Sequence, residues 1–224
     1  MPQKSMSYRR HVGPKARMTR AAKTVGAADA IGPLVPGVEV YVLTFGQFSL
    51  IDALHYLVEQ TGPADVDISV WTAAHADLTR SAALLEQSCI RRLRWVVDRS
   101  FESRQPAFLA RMRTLFGDDS IRVTASHCKF LAIRNERWNL AVRTSMNLNE
   151  NPRLENLEVS DCPALCGFLT GVVDSIFAEC AEGDFRAAMT GLDGVPAVMQ
   201  SGGVSAGHIQ RRLGFPSARS LKVN

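Results

Sequence analysis

The sequence predicts an α/β protein with a mixed, largely parallel sheet flanked by helices. In the first half, short β-branched apolar segments alternate with segments whose apolar residues recur at helical spacing. Such alternation favours parallel strands with helices on the faces of the sheet. In the second half, short strand-like segments follow one another directly. With 46% hydrophobic and 21% charged residues, the 224-residue chain can form one well-packed domain with terminal arms.

The alternating half begins with the run VEVYVLTF at Val38, which predicts a buried strand. Ser49 is placed to cap the helix that follows, and Gly62-Pro63 ends it. The other predicted elements of this half are a strand Val66–Trp71, a helix Asp77–Arg92, a strand Leu93–Val97 and a helix Gln105–Phe116.

After Gly117 the pattern changes to strands in succession. The polar stretch 134–139 predicts a hairpin turn between two of them. The predicted elements of this half are strands Ile121–Ala125, Cys128–Ile133, Leu140–Arg143 and Leu157–Val159, followed by a helical region Leu165–Ala188.

Polar, basic and glycine-rich ends predict three parts: a disordered basic arm (1–36), a folded domain (37–190) and a flexible basic C-terminal arm (191–224). The net charge of +4 is concentrated in the arms. Arms rich in lysine and arginine attract nucleic acid through counterion release. The alternative interpretation is that the arms are solvated tails that bind no partner. The candidate nucleic-acid-binding residues are Arg9, Arg10, Lys15, Arg17, Arg20, Arg211 and Arg212.

Several classes of protein are disfavoured. No apolar run approaches the roughly 20 residues of a membrane span, and no signal-peptide core precedes the domain, so we expect a cytoplasmic protein. The five cysteines include no C-x2-C pair, and we predict neither a metal nor a cofactor. The absence of G-x-x-x-x-G-K-[ST] and G-x-G-x-x-G argues against nucleotide-hydrolysing motors and dinucleotide enzymes.

The strongest candidate site combines His127, Lys129, Ser145, Asn147 and Glu158. Residues two apart on an extended segment point to the same face, so the imidazole and the amine of the His-x-Lys pair are neighbours. An imidazole is a potential nucleophile, and ammonium, hydroxyl and amide groups can hold the oxygens of a phosphodiester as charge develops.

The order and spacing of these five residues resemble the phospholipase D superfamily. Its signature reads H-x-K-x4-D, then G-S-x-N, then an acidic residue, which the N-x-E ending places at Glu158. The segment departs from the signature at two positions, because the aspartate is replaced by Arg134 and the glycine by Thr144. The resemblance implies a phospholipase D-like fold and phosphodiesterase activity.

The roles follow from the chemistry of each group. His127 attacks phosphorus to give a phosphohistidine that water hydrolyses, while Lys129 and Asn147 bind the oxygens and Ser145 donates to the phosphate or positions it. Glu158 accepts a hydrogen bond from the imidazole and fixes its tautomer. Fixed cationic and amide donors take the place of a metal. The resemblance also implies a symmetric homodimer, because single-motif enzymes of the superfamily pair two histidines across a two-fold axis.

Three hypotheses for function remain open. The first is a metal-independent nuclease acting on DNA or RNA. The second is a catalytically inactive phospholipase D-like module that binds nucleic acid, for which Arg134 is the main support. The third is a phospholipid phosphodiesterase recruited to anionic membranes by the N-terminal arm.

Two other groups of residues have structural interpretations. Asp98 ends a buried strand, where we expect it to cap a helix or form an ion pair. Trp71, Trp95 and Trp138 are expected to pack in the core or in the hairpin.

Overall fold

The computed structural model describes residues 26–148 and 153–179 with their side chains, and residues 6–11 and 19–21 as backbone alone. The chain divides into two compact units, Met1–Ala188 and Met189–Asn224. All described residues belong to the first unit, so the predicted C-terminal arm, with Arg211 and Arg212, lies outside them.

A nine-stranded sheet organises the described residues, in the order β2-β1-β3-β9-β8-β7-β4-β5-β6. Its strands are β1 (Met6–His11), β2 (Thr19–Ala21), β3 (Val38–Thr44), β4 (Ala64–Val70), β5 (Ile90–Asp98), β6 (Ile121–Thr124), β7 (Phe130–Arg134), β8 (Asn139–Thr144) and β9 (Glu155–Asp161). Strands β4, β5 and β6 are parallel neighbours, and the other neighbouring pairs are antiparallel.

Helices join the strands of the first half and follow the last strand. They are α1 (Ala27–Ile31), α2 (Leu50–Thr61), α3 (His75–Glu86), α4 (Ser100–Arg104), α5 (Pro106–Phe116) and α6 (Pro163–Glu179). The predicted cap of α2 is confirmed, because the Ser49 hydroxyl accepts a hydrogen bond from the Asp52 amide at 3.3 Å. No helix among the described residues is long and apolar enough to cross a membrane.

The predicted α/β class and the mixed sheet are confirmed, but the expectation of a largely parallel sheet is wrong. Parallel neighbours need a long crossover connection, which only the first half of the chain supplies. From β7 onwards, the strands are joined without crossover helices and pair antiparallel. The predicted helix Asp77–Arg92 is also too long. It ends at Glu86, because Ser88 adopts a positive φ of 57° and the following residues enter β5.

The prediction that residues 1–36 are disordered is wrong for their described part. Strand β1 pairs with β3 over Met6–His11, and α1 buries Ala27, Ala30 and Ile31 against the core. The outer edge of β3 would otherwise present unpaired backbone groups, which a further strand satisfies. Arg9 and Arg10 thus belong to β1.

The remaining predicted nucleic-acid-binding residues are placed only in part. Arg20 belongs to β2, of which the backbone alone is described, as is also true of β1. Lys15 and Arg17 lie outside the described residues.

Helices α1–α5 and α6 cover opposite faces of the sheet. Alternate residues such as Leu131 and Ile133 of β7 join the larger core with α1–α5. Phe130 and Ala132, the intervening residues of the same strand, point to the other face and pack with α6. Burial raises the pKa of Cys166 on α6 to about 11, so this thiol stays protonated in the smaller core.

Candidate active site

Most of the candidate site residues gather at one edge of the sheet. Strands β4, β5, β6 and β8 end there, whereas the antiparallel strands β7 and β9 begin there. The register places Ser69 opposite Phe130, and Phe130 opposite Arg143. Loops that leave this edge are therefore neighbours, although they are distant in sequence.

The His-x-Lys pair lies in the loop between β6 and β7. His127 is exposed, and the Lys129 amine lies 3.4 Å from its Nδ1 atom. The same amine donates to the His127 backbone carbonyl oxygen at 3.2 Å. The predicted proximity of the two side chains is thus present. The His127 imidazole and the Lys129 amine therefore lie side by side at the protein surface.

Partly buried hydrogen bonds hold this loop against the ends of β4 and β5. The Ser69 hydroxyl donates to the Cys128 carbonyl oxygen at 2.9 Å. The Asp98 carboxylate accepts from the Ser126 amide at 3.2 Å and from the Ser100 amide at 2.9 Å. Asp98, one residue before the N-cap Arg99, therefore accepts from the first amide of α4 and also anchors the loop that carries His127.

The pKa of the Asp98 carboxyl is held below its ordinary value. Burial opposes its charge, but hydrogen bonds from Ser100 and Ser126 and the positive charge of Arg104 outweigh burial and lower the pKa of Asp98. A charged acceptor makes stronger hydrogen bonds than a neutral one, so the loop is fixed by charge-assisted contacts.

Asn147 connects the end of β8 to the end of β4. Its Oδ1 atom accepts from the backbone amides of Trp71, at 3.2 Å, and Thr72, at 3.3 Å. Two N–H donors on one side of the carboxamide require the oxygen there, so the orientation of the amide is determined. The Nδ2 group then remains a donor, with no partner among the residues that the structure describes.

Ser145 is held by the first residues of β9. Its hydroxyl donates to the Glu155 carboxylate and accepts from the Asn156 amide at 3.0 Å. Thr144, at the position of the superfamily's glycine, donates to the Asn156 carbonyl oxygen at 2.6 Å and accepts from the Met146 amide at 2.9 Å. The larger residue thus ties the turn to β9.

The predicted contact between Glu158 and the imidazole is wrong. The carboxylate of Glu158 pairs with the Arg143 guanidinium. On β9, Leu157 is buried in the larger core, so Glu158 points to the opposite face of the sheet. Glu155 lies on the same side as Leu157, and it is the carboxylate that reaches Ser145.

Trp71 and Arg104 extend the site beyond the predicted residues. The half-buried Trp71 ring lies 5.4 Å from the His127 ring, between ring centroids, at an interplanar angle of 59°. The Arg104 guanidinium carbon lies 3.9 Å from the centroid of the Trp71 ring. The core and hairpin interpretations hold for the buried Trp95 and Trp138, but Trp71 lies beside the proposed nucleophile.

Arg134, at the position of the superfamily's aspartate, lies at the far end of β7 from the site. Its guanidinium is 3.9 Å from the Asp67 carboxylate, whose side chain is 1% exposed. Arg94 makes two hydrogen bonds to the same carboxylate, at 2.6 and 2.8 Å, and a third to Asp174 at 2.6 Å. The replacement therefore belongs to an ion cluster beneath α6. It does not bear on the imidazole.

Sequence reasoning missed Glu155 and Arg104, but a signal for Glu155 exists. In the segment LENLEV, Leu157 and Val159 predict the buried side of a strand, and Glu155 shares that side by alternation. The N-x-E spacing favoured the other glutamate. Among the described residues, no group of three or more histidine, cysteine, aspartate or glutamate side chains is placed to hold a metal ion.

Comparisons with known proteins give structural similarities alone. No protein-family model and no curated protein matches the sequence. NucT from Helicobacter pylori is 12% identical, with a TM-score of 0.43 over 58% of this chain and 91% of NucT. Phosphatidylserine synthase from Haemophilus influenzae is 15% identical, with a TM-score of 0.45 over 73% of this chain and 43% of the synthase. Nuc from Salmonella typhimurium, a phospholipase D family member, is 13% identical, with a TM-score of 0.42 over 58% of this chain and 90% of Nuc.

Proposed function

We propose that the protein is a metal-independent phosphodiesterase that cleaves nucleic acid through a phosphohistidine at His127. One observation carries the proposal: the Lys129 amine lies 3.4 Å from the imidazole Nδ1 atom at a solvent-exposed edge of the sheet. Loops from β4 and β8 supply further polar groups at the same edge. A nucleophile and fixed donors for a phosphate are thereby brought together.

The donors suit the oxygens of a phosphodiester. The Lys129 ammonium supplies charge, and the Nδ2 group of Asn147, which has no partner among the described residues, supplies an oriented N–H. Ser145 already donates to Glu155, so its hydroxyl serves mainly to hold the turn that carries Asn147. Fixed donors of this kind stabilise the charge that develops on phosphoryl oxygens without reorganising in the transition state.

The reaction proceeds in two displacements at phosphorus. In the first, a phosphate oxygen binds the Lys129 ammonium and an unprotonated nitrogen of His127 attacks phosphorus. The P–N bond forms, the P–O bond to the departing nucleoside breaks, and the alkoxide takes a proton. In the second, water attacks phosphorus and gives a proton back to the group that protonated the alkoxide, the P–N bond breaks, and a phosphomonoester and the neutral imidazole are released.

The departing oxygen needs an acid. This chain has a single His-x-Lys motif, and we propose that a second copy supplies the acid through its own His127 in a symmetric homodimer. Sedimentation of the purified protein tests this arrangement, since it predicts a dimer at the concentrations that support cleavage.

Nucleic acid is the substrate that the charge of the chain favours. The basic residues of the two ends, among them Arg17, Arg20 and Arg211, are proposed to contact the phosphate backbone. The inactive-module hypothesis lost its main support, because Arg134 lies away from the imidazole in the Asp67 cluster. The lipid hypothesis has no observation in its favour among the described residues.

Incubation of plasmid DNA, single-stranded DNA and RNA with the purified protein in excess EDTA tests the proposal. We expect cleavage of at least one of the three, and no increase in the rate when magnesium is restored. Cleavage that appears only after magnesium is added contradicts the proposed chemistry.

The two glutamates of β9 are expected to differ in their effect on cleavage. Glu155→Gln replaces the charged acceptor of Ser145 with a neutral amide oxygen and weakens the hold on the turn that carries Asn147. Hydrogen bonds to charged groups contribute about 1.5–3 kcal/mol and those between neutral groups about 0.5–1.5 kcal/mol, and a difference of about 1 kcal/mol corresponds to roughly a fivefold loss of kcat/KM. Rates on an oligonucleotide in EDTA provide the measurement.

The matched control is Glu158→Gln, which removes the partner of Arg143 on the opposite face. We expect its kcat/KM to stay within about twofold of the parent, because the pair lies on the face away from His127 and its Arg143 side is exposed, where ion pairs contribute little. A larger loss from Glu158→Gln than from Glu155→Gln, with both variants folded by thermal melting, restores the role predicted from the motif spacing.

A further inference from the structure

A second cation lies beside the proposed nucleophile. Arg104, the last residue of α4, is exposed, and its guanidinium lies over the Trp71 ring at 3.9 Å. The same ring contacts the imidazole of His127 at 5.4 Å. Since both distances are measured to the ring of one indole, the guanidinium carbon and the imidazole centroid lie within about 9 Å of each other.

The hydrogen-bonding capacity of Arg104 is largely unused. Its Nε atom donates to the Ser100 hydroxyl at 3.2 Å. The two terminal nitrogens have no hydrogen-bond partner or ion pair among the described residues, although the charge acts on the Asp98 carboxylate. The guanidinium is held over the indole by a cation–π contact, and the exposed side chain keeps its terminal N–H donors accessible to a ligand.

The supporting indole is itself fixed by the site. The Trp71 backbone amide donates to Asn147, and the adjacent Thr72 hydroxyl donates at 3.0 Å to Gln105, the residue that follows Arg104. The start of α5 is therefore bound to the end of β4 independently of the guanidinium. Arg104 is not needed to hold these two elements together.

We propose that Arg104 binds the phosphate next to the scissile one, so that the site accommodates a strand of nucleic acid and not an isolated phosphodiester. This inference rests on the proposed function. Lys129 serves the phosphate under attack, and the guanidinium over Trp71 meets the following phosphate with paired N–H donors. Both cations border one indole, Lys129 through its neighbour His127 and Arg104 directly, so neighbouring phosphates of one strand can meet them in turn.

The test compares two substrates of the same base composition, in EDTA. The thymidine dinucleotide contains one phosphodiester, whereas the thymidine octanucleotide also contains neighbouring phosphates. We measure the ratio of kcat/KM per bond on the octanucleotide to that on the dinucleotide. For Arg104→Ala, this ratio is expected to be about tenfold lower than for the parent, because one charge-assisted hydrogen bond to the neighbouring phosphate is lost. Arg104→Lys is expected to recover part of that ratio.

Arg137 provides a matched control at the opposite end of the sheet. It is exposed, and its guanidinium lies 5.3 Å from the Trp138 ring in the hairpin between β7 and β8. Arg137→Ala is expected to leave the ratio unchanged, although it removes the same charge from a similar arginine–tryptophan pair.

Each outcome has one interpretation. An unchanged ratio for Arg104→Ala overturns the inference while the parent's cleavage leaves the proposed function intact. Equal losses on both substrates also overturn it, because they assign Arg104 to the scissile phosphate or to the support of Trp71. A parent that cleaves neither thymidine substrate, although folded by circular dichroism, overturns the inference, and the proposed function falls with it only if plasmid DNA and RNA are left intact as well.

Discussion

Replacing His127 with alanine is expected to lower kcat for phosphodiester cleavage by at least about 10³-fold, which is the largest effect of any single change. The imidazole forms the bond to phosphorus, and no other described histidine lies beside a lysine amine as His127 does. Because the side chain is exposed, its removal leaves no cavity in the core. Single-turnover rates on an oligonucleotide in EDTA measure the loss directly.

His55→Ala is the matched control for that variant. His55 is exposed on α2, where its ring lies 3.5 Å from Glu59, one helical turn away. We expect its cleavage rate to equal the parent's. If His127→Ala retains the parent's rate, cleavage does not depend on this imidazole, and contamination or another site accounts for the activity.

Replacing Lys129 with methionine is expected to lower kcat by about 10²–10³-fold, the usual result of removing one fixed donor to a developing oxyanion. Methionine has a similar length and apolar stem but carries no charge, so the segment before β7 keeps its packing. The ammonium that lies 3.4 Å from the imidazole is lost. Because the donor acts mainly on the charge that develops during attack, KM should change much less than kcat.

Steady-state kinetics over a range of salt concentrations separate this role from general attraction of the substrate. Arg137→Met removes a surface charge away from the site and is expected to change neither constant by more than about twofold. A Lys129→Met variant with normal kcat and a raised, salt-dependent KM contradicts the assigned role, because that result means that the amine only attracts the substrate and does not stabilise the transition state.

The strands were largely predictable because burial imposes an alternation that the sequence displays. VEVYVLTF and VDISVW correspond to β3 and β4, whose inward residues are almost fully buried. Strand direction depends on the connections, and the short joins between β7, β8 and β9 made these strands antiparallel, whereas β6 remained parallel to β5. The pairing of β1 with β3 was missed because basic residues masked the strand pattern in the first 25 positions.

The site was predictable where its contacts are local. His127 and Lys129 are two residues apart, and the extended segment brings them together. The choice between Glu155 and Glu158 depends on which face of β9 is buried, which motif spacing does not encode. Trp71 and Arg104 meet only because α4 returns to the end of β4, so the tertiary fold had to be known.

The stereochemical course at phosphorus tests the central claim most directly. A dinucleotide with a phosphorothioate of one configuration is hydrolysed in water enriched in oxygen-18, and the configuration of the product is determined. Attack by His127 followed by attack by water inverts phosphorus twice, so the account predicts overall retention. Inversion shows a single displacement by water and contradicts the phosphohistidine intermediate.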